Sequence, residues 1–234
     1  MWKQIVGSIA LVASLACPGA NAAIVFLVDL SPSEEIITLL PTSGTPVGPG
    51  GVLKPFLSTT GGTRPASFGT ATFVLNDAQT ALSMTATIFN IDVTGTQTPG
   101  DLNDNLAAAH IHSGNIQSVD TRGVAARAIT WGFFGSPDHD DNPDQLVITP
   151  FASGVGGTFT SVWDFAEGAG GTTLGVQLPR LIDGLGYLNF HTIQFGNGEI
   201  RGTLRAQIPE PGSLAFVALV LGSFYIALRR RRTV

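Results

Sequence analysis

A single residue separates the two imidazoles in Ala109-His110-Ile111-His112, and a third imidazole closes the run Tyr187-Leu188-Asn189-Phe190-His191. On an extended strand, residues i and i+2 share a face, so His110 and His112 project together while Ile111 points the other way. His191 lies on the face opposite Leu188 and Phe190. If those three apolar residues enter a core, all three imidazoles leave from outer faces and converge should their strands be neighbours. Three neutral imidazoles suit zinc or copper. The competing reading is structural: histidines on a sheet face hydrogen-bond to backbone or carboxylate and orient loops. In the final hairpin His191 is expected opposite Arg201 or Thr203. A cation there keeps the imidazole neutral but disfavours an added divalent charge.

A second set of chemistry-bearing residues is acidic. Asp138, Asp140, Asp141, Asn142 and Asp144 crowd one loop beside His139, and Asp101, Asn103, Asp104 and Asn105 crowd another just before the His-x-His strand. Oxygen-rich loops can wrap calcium, and Asp138, Asp140, Asn142 and Asp144 are the candidate ligands. Neither loop has EF-hand spacing, and Asp and Asn in turns need no ion to explain them. Nucleophile motifs are absent: there is no Gly-x-Ser-x-Gly elbow, and Gly154 to Gly157 lacks the Lys of a phosphate loop. The pairs Glu34 with Glu35 and Asp164 with Glu167 carry no glycosidase spacing of their own. Trp131 and Trp163 could stack on sugars, though large aromatics on strands are usually core. The expectation is a protein that is not an enzyme.

The elements that must position these residues are strands. Ala71, Phe73 and Leu75 alternate with Thr70 and Thr72, and Leu82, Met84, Ala86 and Ile88 alternate with Ser83, Thr85 and Thr87. Around Asn76-Asp77 this reads as a hairpin with one buried face. Tyr187 to Ile193 and Ile200 to Ala206 flank Gly196-Asn197-Gly198 as a second hairpin, with Arg201, Thr203 and Arg205 pointing out. Ala125 to Phe134 reads as a further strand carrying Trp131, Phe133 and Phe134. Leu174 to Leu185 is helical or turn-like, limited by Pro179 to a turn or two. Thr42 to Pro65, rich in Pro and Gly, reads as irregular loop around one short strand. Short strands, frequent turn residues and few helices predict an all-β, Greek-key-like antiparallel sandwich or partly closed barrel.

The two ends of the chain carry a different kind of information. Lys3, the apolar run from Ile5 to Ala16 and the small residues Ala20-Asn21-Ala22 read as a secretory signal peptide over residues 1–22, cleaved after Ala22. Cys17, the single cysteine, leaves with it, so the exported body is stabilised without disulfides. At the other end Pro209-Glu210-Pro211 precedes an apolar run from Leu214 to Leu228 and then Arg229 to Arg232. A run of about 15 residues sits near the short limit for a transmembrane helix, and the arginines hold its end in the cytoplasm. The formal net charge is −5. Losing Lys3 and the terminal arginines makes the body more acidic still, which excludes nucleic acid and anionic lipid as partners.

Pro-Glu-Pro, one short apolar helix and a terminal Arg run resemble the PEP-CTERM sorting signal of Gram-negative bacteria that secrete exopolysaccharide. The resemblance implies an exosortase as processing partner, cutting around Pro209, Glu210 and Pro211. It also implies transient residence in the inner membrane, then release to the cell surface or matrix, with exopolysaccharide or other surface proteins as partners. Gly69-Thr70-Ala71-Thr72-Phe73, Ala109-His110-Ile111-His112, Tyr187-Leu188-Asn189-Phe190-His191-Thr192 and Gly198-Glu199-Ile200-Arg201-Gly202 together resemble the CHRD domain, named from chordin, over roughly residues 68–206. That resemblance implies an extracellular structural or binding module filling residues 23–207, ahead of the sorting segment 208–234. A His-x-His strand with a distant His is also similar to copper/zinc superoxide dismutase. The alternative function is therefore a secreted His-ligated metal-binding protein or metalloenzyme of that type.

Overall fold

The structure, a computed structural model, describes residues 23–35, 45–47, 52–119, 125–140 and 146–207. Within β4 and β5, side chains are described to 113 and from 128 respectively. The signal segment ending at Ala22 and the whole of residues 208–234, with Pro209, Glu210, Pro211 and the apolar run 214–228, lie outside the described residues. Among the described residues no helix is long and apolar enough to cross a membrane.

Among the described residues ten strands form two antiparallel sheets. They are β1 (Val25–Leu30), β2 (Phe68–Leu75), β3 (Ala81–Phe89), β4 (Leu106–Val119), β5 (Ala125–Phe134), β6 (Val147–Pro150), β7 (Gly156–Asp164), β8 (Tyr187–Thr192), β9 (Ile200–Thr203) and β10 (Arg205–Gln207). One sheet runs β10-β1-β2-β3-β7-β6 and the other β5-β4-β8-β9. The chain passes from one sheet to the other between β9 and β10, and an isolated bridge joins Ser31 to Arg201 across the same edge. The result is a sandwich and not a closed barrel, because the sheets meet at this edge without closing into a ring of strands.

The first hairpin forms as its alternation predicts. Ala71, Phe73, Leu75, Leu82, Met84, Ala86 and Ile88 are all buried, and the register pairs Phe73 with Met84. Aromatic contacts tie the sheets together across the core. Trp131 of β5 and Trp163 of β7 are fully buried and stack 5.5 Å apart at 3°, while Phe159 meets Phe190 edge-on at 5.3 Å. Both tryptophans are thus core residues, and each bulky ring contributes on the order of 3–5 kcal/mol against truncation.

Three local expectations are corrected. The last hairpin pairs Asn189 with Arg201 and ends at Phe190 with Ile200, so His191 lies beyond the ladder and not opposite Arg201 or Thr203. The cause is a connection longer than Gly196-Asn197-Gly198: Phe195 is buried and its amide donates to Thr192 Oγ1 at 3.2 Å, which draws the whole segment inward. Arg201, expected to face solvent, is 5 % exposed. The helix α1 (Leu174–Ile182) holds nine residues with Pro179 inside it, about two and a half turns. Thr173 caps its N-terminus by accepting from the Val176 amide, and Leu174, Leu178 and Leu181 bury its apolar face. That packing offsets the hydrogen bond Pro179 cannot donate.

The segment read as loose, Thr42 to Pro65, is tied down where it is described. Arg64 Nη2 and Nη1 donate to the two carboxylate oxygens of Glu199 at 2.6 and 2.9 Å. Glu199 is fully buried and also accepts from Ser67 and from Thr192 Oγ1, the latter at 2.5 Å. Above the pair, the guanidinium lies 5.0 Å from the Phe56 ring centroid and 5.8 Å from that of Phe195.

Candidate functional site

β4 lies between β5 and β8, so the strand carrying His110 and His112 is the direct neighbour of the strand carrying His191. Register places Asn189 opposite His110 and Tyr187 opposite His112. Ile111, Leu188 and Phe190 fill the core, each fully buried, and the imidazoles therefore leave from the outer face together. On the β5 side the register slips between Ala109 and His110 and again between Ile111 and His112. Such bulges bend a strand and re-aim its side chains.

One nitrogen from each of the three rings lies within 4.8 Å of the other two. His110 Nε2 and His191 Nε2 are 2.8 Å apart. The remaining nitrogen of His191, Nδ1, lies 3.0 Å from the Gly196 carbonyl oxygen, an acceptor, so Nδ1 carries the ring proton and Nε2 presents its lone pair. His110 must then donate from Nε2. Its Nδ1 is buried with no hydrogen-bond partner among the described residues. Burial pushes the His110 pKa down to about 2, aided by His191, His112 and His139, and burial also lowers that of His191. Both rings are neutral at physiological pH, the form that ligates. His112 stacks on Tyr187 at 4.5 Å and 15°, and the Arg201 guanidinium carbon sits 3.5 Å from the Tyr187 ring centroid.

The fourth histidine of the chain joins this face by a route that strand parity does not reveal. Gly132 of β5 lies opposite His110, and the loop after β5 folds back over it. The His139 amide donates to the Gly132 carbonyl at 2.7 Å, and the Gly132 amide donates to His139 Nδ1 at 3.2 Å. A Cβ at position 132 would collide with the Pro137 carbonyl oxygen. The signal available in the sequence was a lone glycine between Trp131 and Phe133 in an otherwise bulky strand.

The acidic candidates behave differently. Asp138 is exposed and accepts the Asp140 amide at 3.1 Å, whereas Asp140 is 7 % exposed and accepts from Ser161 Oγ at 2.6 Å. Burial, opposed by that bond, raises the Asp140 pKa to about 6. Asn142 and Asp144, the other calcium candidates, lie outside the described residues. In the second loop Asp101 accepts from Thr59 and Asn103, and Thr98 Oγ1 bridges the carboxylates of Asp92 and Asp104. Those carboxylates pin loops to each other. Among the described residues no carboxylate joins a cluster with metal-ligating spacing; the histidines do.

No curated protein and no solved structure matches the chain. The family model of the CHRD domain matches residues 53–204. The match begins ahead of the first hairpin and takes in the segment that Arg64 clamps to Glu199. It spans both sheets, the imidazole cluster and the final hairpin, and the chain belongs to the CHRD domain family.

Proposed function

We propose that the protein is exported and acts as a non-catalytic binding module at the surface or in the exopolysaccharide matrix of a Gram-negative cell, holding neutral polysaccharide against the outer face of its six-stranded sheet. One observation carries the binding half of this reading. Cross-strand register sets Thr70, Thr87, Thr158 and Thr149 in one row and Thr72, Thr85 and Thr160 in the next. Ser83 follows beside Val74 and Val162. At the other end of the rows Phe68 stacks on Phe89 at 4.7 Å, and Phe89 meets Phe151 at 5.0 Å. Strand geometry spaces the hydroxyls about 4.8 Å across the sheet and about 6.8 Å along it. Solvent-facing sheet surfaces ordinarily carry Lys and Glu; across β2, β3 and β6 this one has none, in a chain with 17 acidic residues. The charges of this sheet face lie at its margins, where the exposed Asp29 pairs with Thr70, Arg205 pairs with Leu27 and Asp164 ends β7. The uncharged patch of hydroxyls and phenyl rings between them fits a neutral glycan, which offers hydroxyls to both donate and accept and apolar ring faces to cover.

The export half is supported by the ends of the chain: Ala20-Asn21-Ala22 for signal cleavage, and Pro209-Glu210-Pro211 with its apolar run and arginines for exosortase processing at the inner membrane. Burial of His110 and His191 at 4 and 8 % exposure supports holding over turnover. The test is affinity electrophoresis of the purified protein through gels with and without a neutral polysaccharide such as dextran or a hydroxyethyl cellulose. Retardation is expected, and Thr70→Lys with Thr160→Glu should abolish it while the far-face change Arg180→Ala does not. Mobility unaffected by every polysaccharide, or affected equally by Arg180→Ala, overturns the assignment of this face. Intact mass of the released protein should correspond to loss of residues 1–22 and of the arginine tail.

A further inference from the structure

We propose that His110, His112 and His191 form a binding site for one imidazole-preferring transition-metal ion, zinc or copper, on the outer face of β4 and β8. The assignment is independent of the polysaccharide reading, which concerns the opposite outer face of the sandwich.

Geometry comes first. Two nitrogens sharing an ion at about 2.05 Å in tetrahedral arrangement stand about 3.3 Å apart. The three rings offer separations from 2.8 Å, between the Nε2 atoms of His110 and His191, to at most 4.8 Å. Side-chain rotations that move the ring nitrogens by up to about an ångström bring all three onto one centre. The first step is a change of tautomer at His110: its ring proton moves from Nε2 to Nδ1, the ring stays neutral, and the Nε2 lone pair is freed beside that of His191.

The second observation is the outer support. Ligating histidines almost always donate their other ring N–H to a carbonyl or carboxylate, which fixes ring and tautomer. His191 already does so to the Gly196 oxygen at 3.0 Å. The turn that supplies this oxygen is itself held by the Gly198 amide donating to Phe195 at 2.9 Å, and Phe195 packs edge-on against Phe56 at 5.1 Å.

A third observation separates ligand from loop-orienter. A buried imidazole that merely orients a loop uses both nitrogens. His110 is 4 % exposed, spends one nitrogen on another histidine and has no partner for the other among the described residues. Burying a polar atom without a partner costs about 1–3 kcal/mol. The orphaned Nδ1 marks a ring that is not engaged in orienting a loop, and an ion on the Nε2 side would exchange the single His110–His191 hydrogen bond for ligation by both rings. The half-buried His112 provides the side from which an ion enters. The donor set is all nitrogen, so calcium and magnesium, which take oxygen, are excluded as occupants.

The test uses protein stripped with a chelator and dialysed against zinc or copper ions, with calcium as comparison, and reads bound metal per chain and the shift in melting temperature. One zinc or copper ion per chain is expected, with a metal-dependent rise in melting temperature. His112→Gln and His191→Ala should each weaken binding at least a hundredfold and remove that rise. His139→Ala, a change outside the three rings, should leave one ion bound. Because His191→Ala removes a buried ring, near-ultraviolet circular dichroism of Trp131 and Trp163 checks folding, and His112→Gln at the half-buried position serves as the second variant. Stoichiometric binding that survives His112→Gln, a loss on His139→Ala as large as on His191→Ala, preference for calcium, or no bound ion in the folded wild type overturns the proposal.

Discussion

Truncating Arg64 tests whether a segment that looks like unstructured connection is part of the folded body. Its guanidinium makes a bidentate pair with Glu199, with side-chain exposures of 7 % and 0 %. Removing one member of such a buried pair leaves the other charge uncompensated and costs about 3–5 kcal/mol. The Phe56 and Phe195 rings beside the guanidinium add about 0.5–1 kcal/mol. Arg64→Ala should therefore lose about 4 kcal/mol, or about 8–16 °C in melting temperature for a body of this size. Replacing both charges, as in Arg64→Met with Glu199→Gln, should recover more than half of that loss, because no buried charge is then left alone. Urea unfolding followed by fluorescence of the buried Trp131 and Trp163 measures this as a fall in midpoint at constant slope. A loss below about 1 kcal/mol for Arg64→Ala, or a double variant no more stable than the single one, would refute the reasoning. In either case the segment would not be clamped to the β8–β9 connection.

Asp140 gives a pH signature. Its folded pKa is raised by burial to about 6, so the folded state binds the proton more tightly than the unfolded chain. The stability linked to that proton is complete below the ordinary carboxyl range and is lost as pH rises through 6. Asp140→Asn removes the titration and can still accept from Ser161. It should gain about 2 kcal/mol relative to wild type between pH 4 and pH 7.5, and a wild-type to variant difference that does not move with pH rejects the assignment. Gly202→Ala would drive a Cβ into the Asp29 carbonyl oxygen and to 2.6 Å from Val28 Cγ1, where β9 crosses β1. It should cost about 2–3 kcal/mol, whereas Gly196→Ala, with nothing within 4 Å, should be neutral or slightly stabilising in the same thermal melts.

What the sequence made legible is what strand parity controls. The first hairpin can be assigned face by face because apolar and hydroxyl residues alternate from Thr70 to Leu75, with Val74 the one apolar residue on the outer face, and without a break from Leu82 to Ile88. The convergence of His110, His112 and His191 required only parity plus the adjacency of β4 and β8, which the structure supplies. Parity says nothing about loops that return across a sheet. His139 reaches the histidine face because Gly132 lets the backbone of residues 137–139 approach β5, and no periodicity encodes that approach. Arg64 finds Glu199 across 135 residues of chain, out of a stretch whose Pro and Gly content masks its role. The register of the last hairpin escapes sequence reasoning for a related reason. Gly196-Asn197-Gly198 has the composition of a tight turn, but the buried Phe195 beside it makes the connection longer and shifts every pair.

The two outer faces of the sandwich then carry opposite physics, and the contrast bears on where specificity resides. Across the large sheet, Thr70, Thr85, Thr149 and Thr160 remain exposed and make no demand on the interior. Across the small sheet, His110, Asn189, His191 and Arg201 are each at most 8 % exposed, on a face where apolar residues would fold the same strands without desolvation cost. The cost is not fully offset within the protein, since His110 Nδ1 and Asn189 Oδ1 have no hydrogen-bond partner among the described residues. A sheet needs neither feature to be stable. Buried, neutral imidazoles held at ligand spacing gain a physical rationale from the proposed ion, which would exchange the His110–His191 hydrogen bond for bonds from both Nε2 lone pairs.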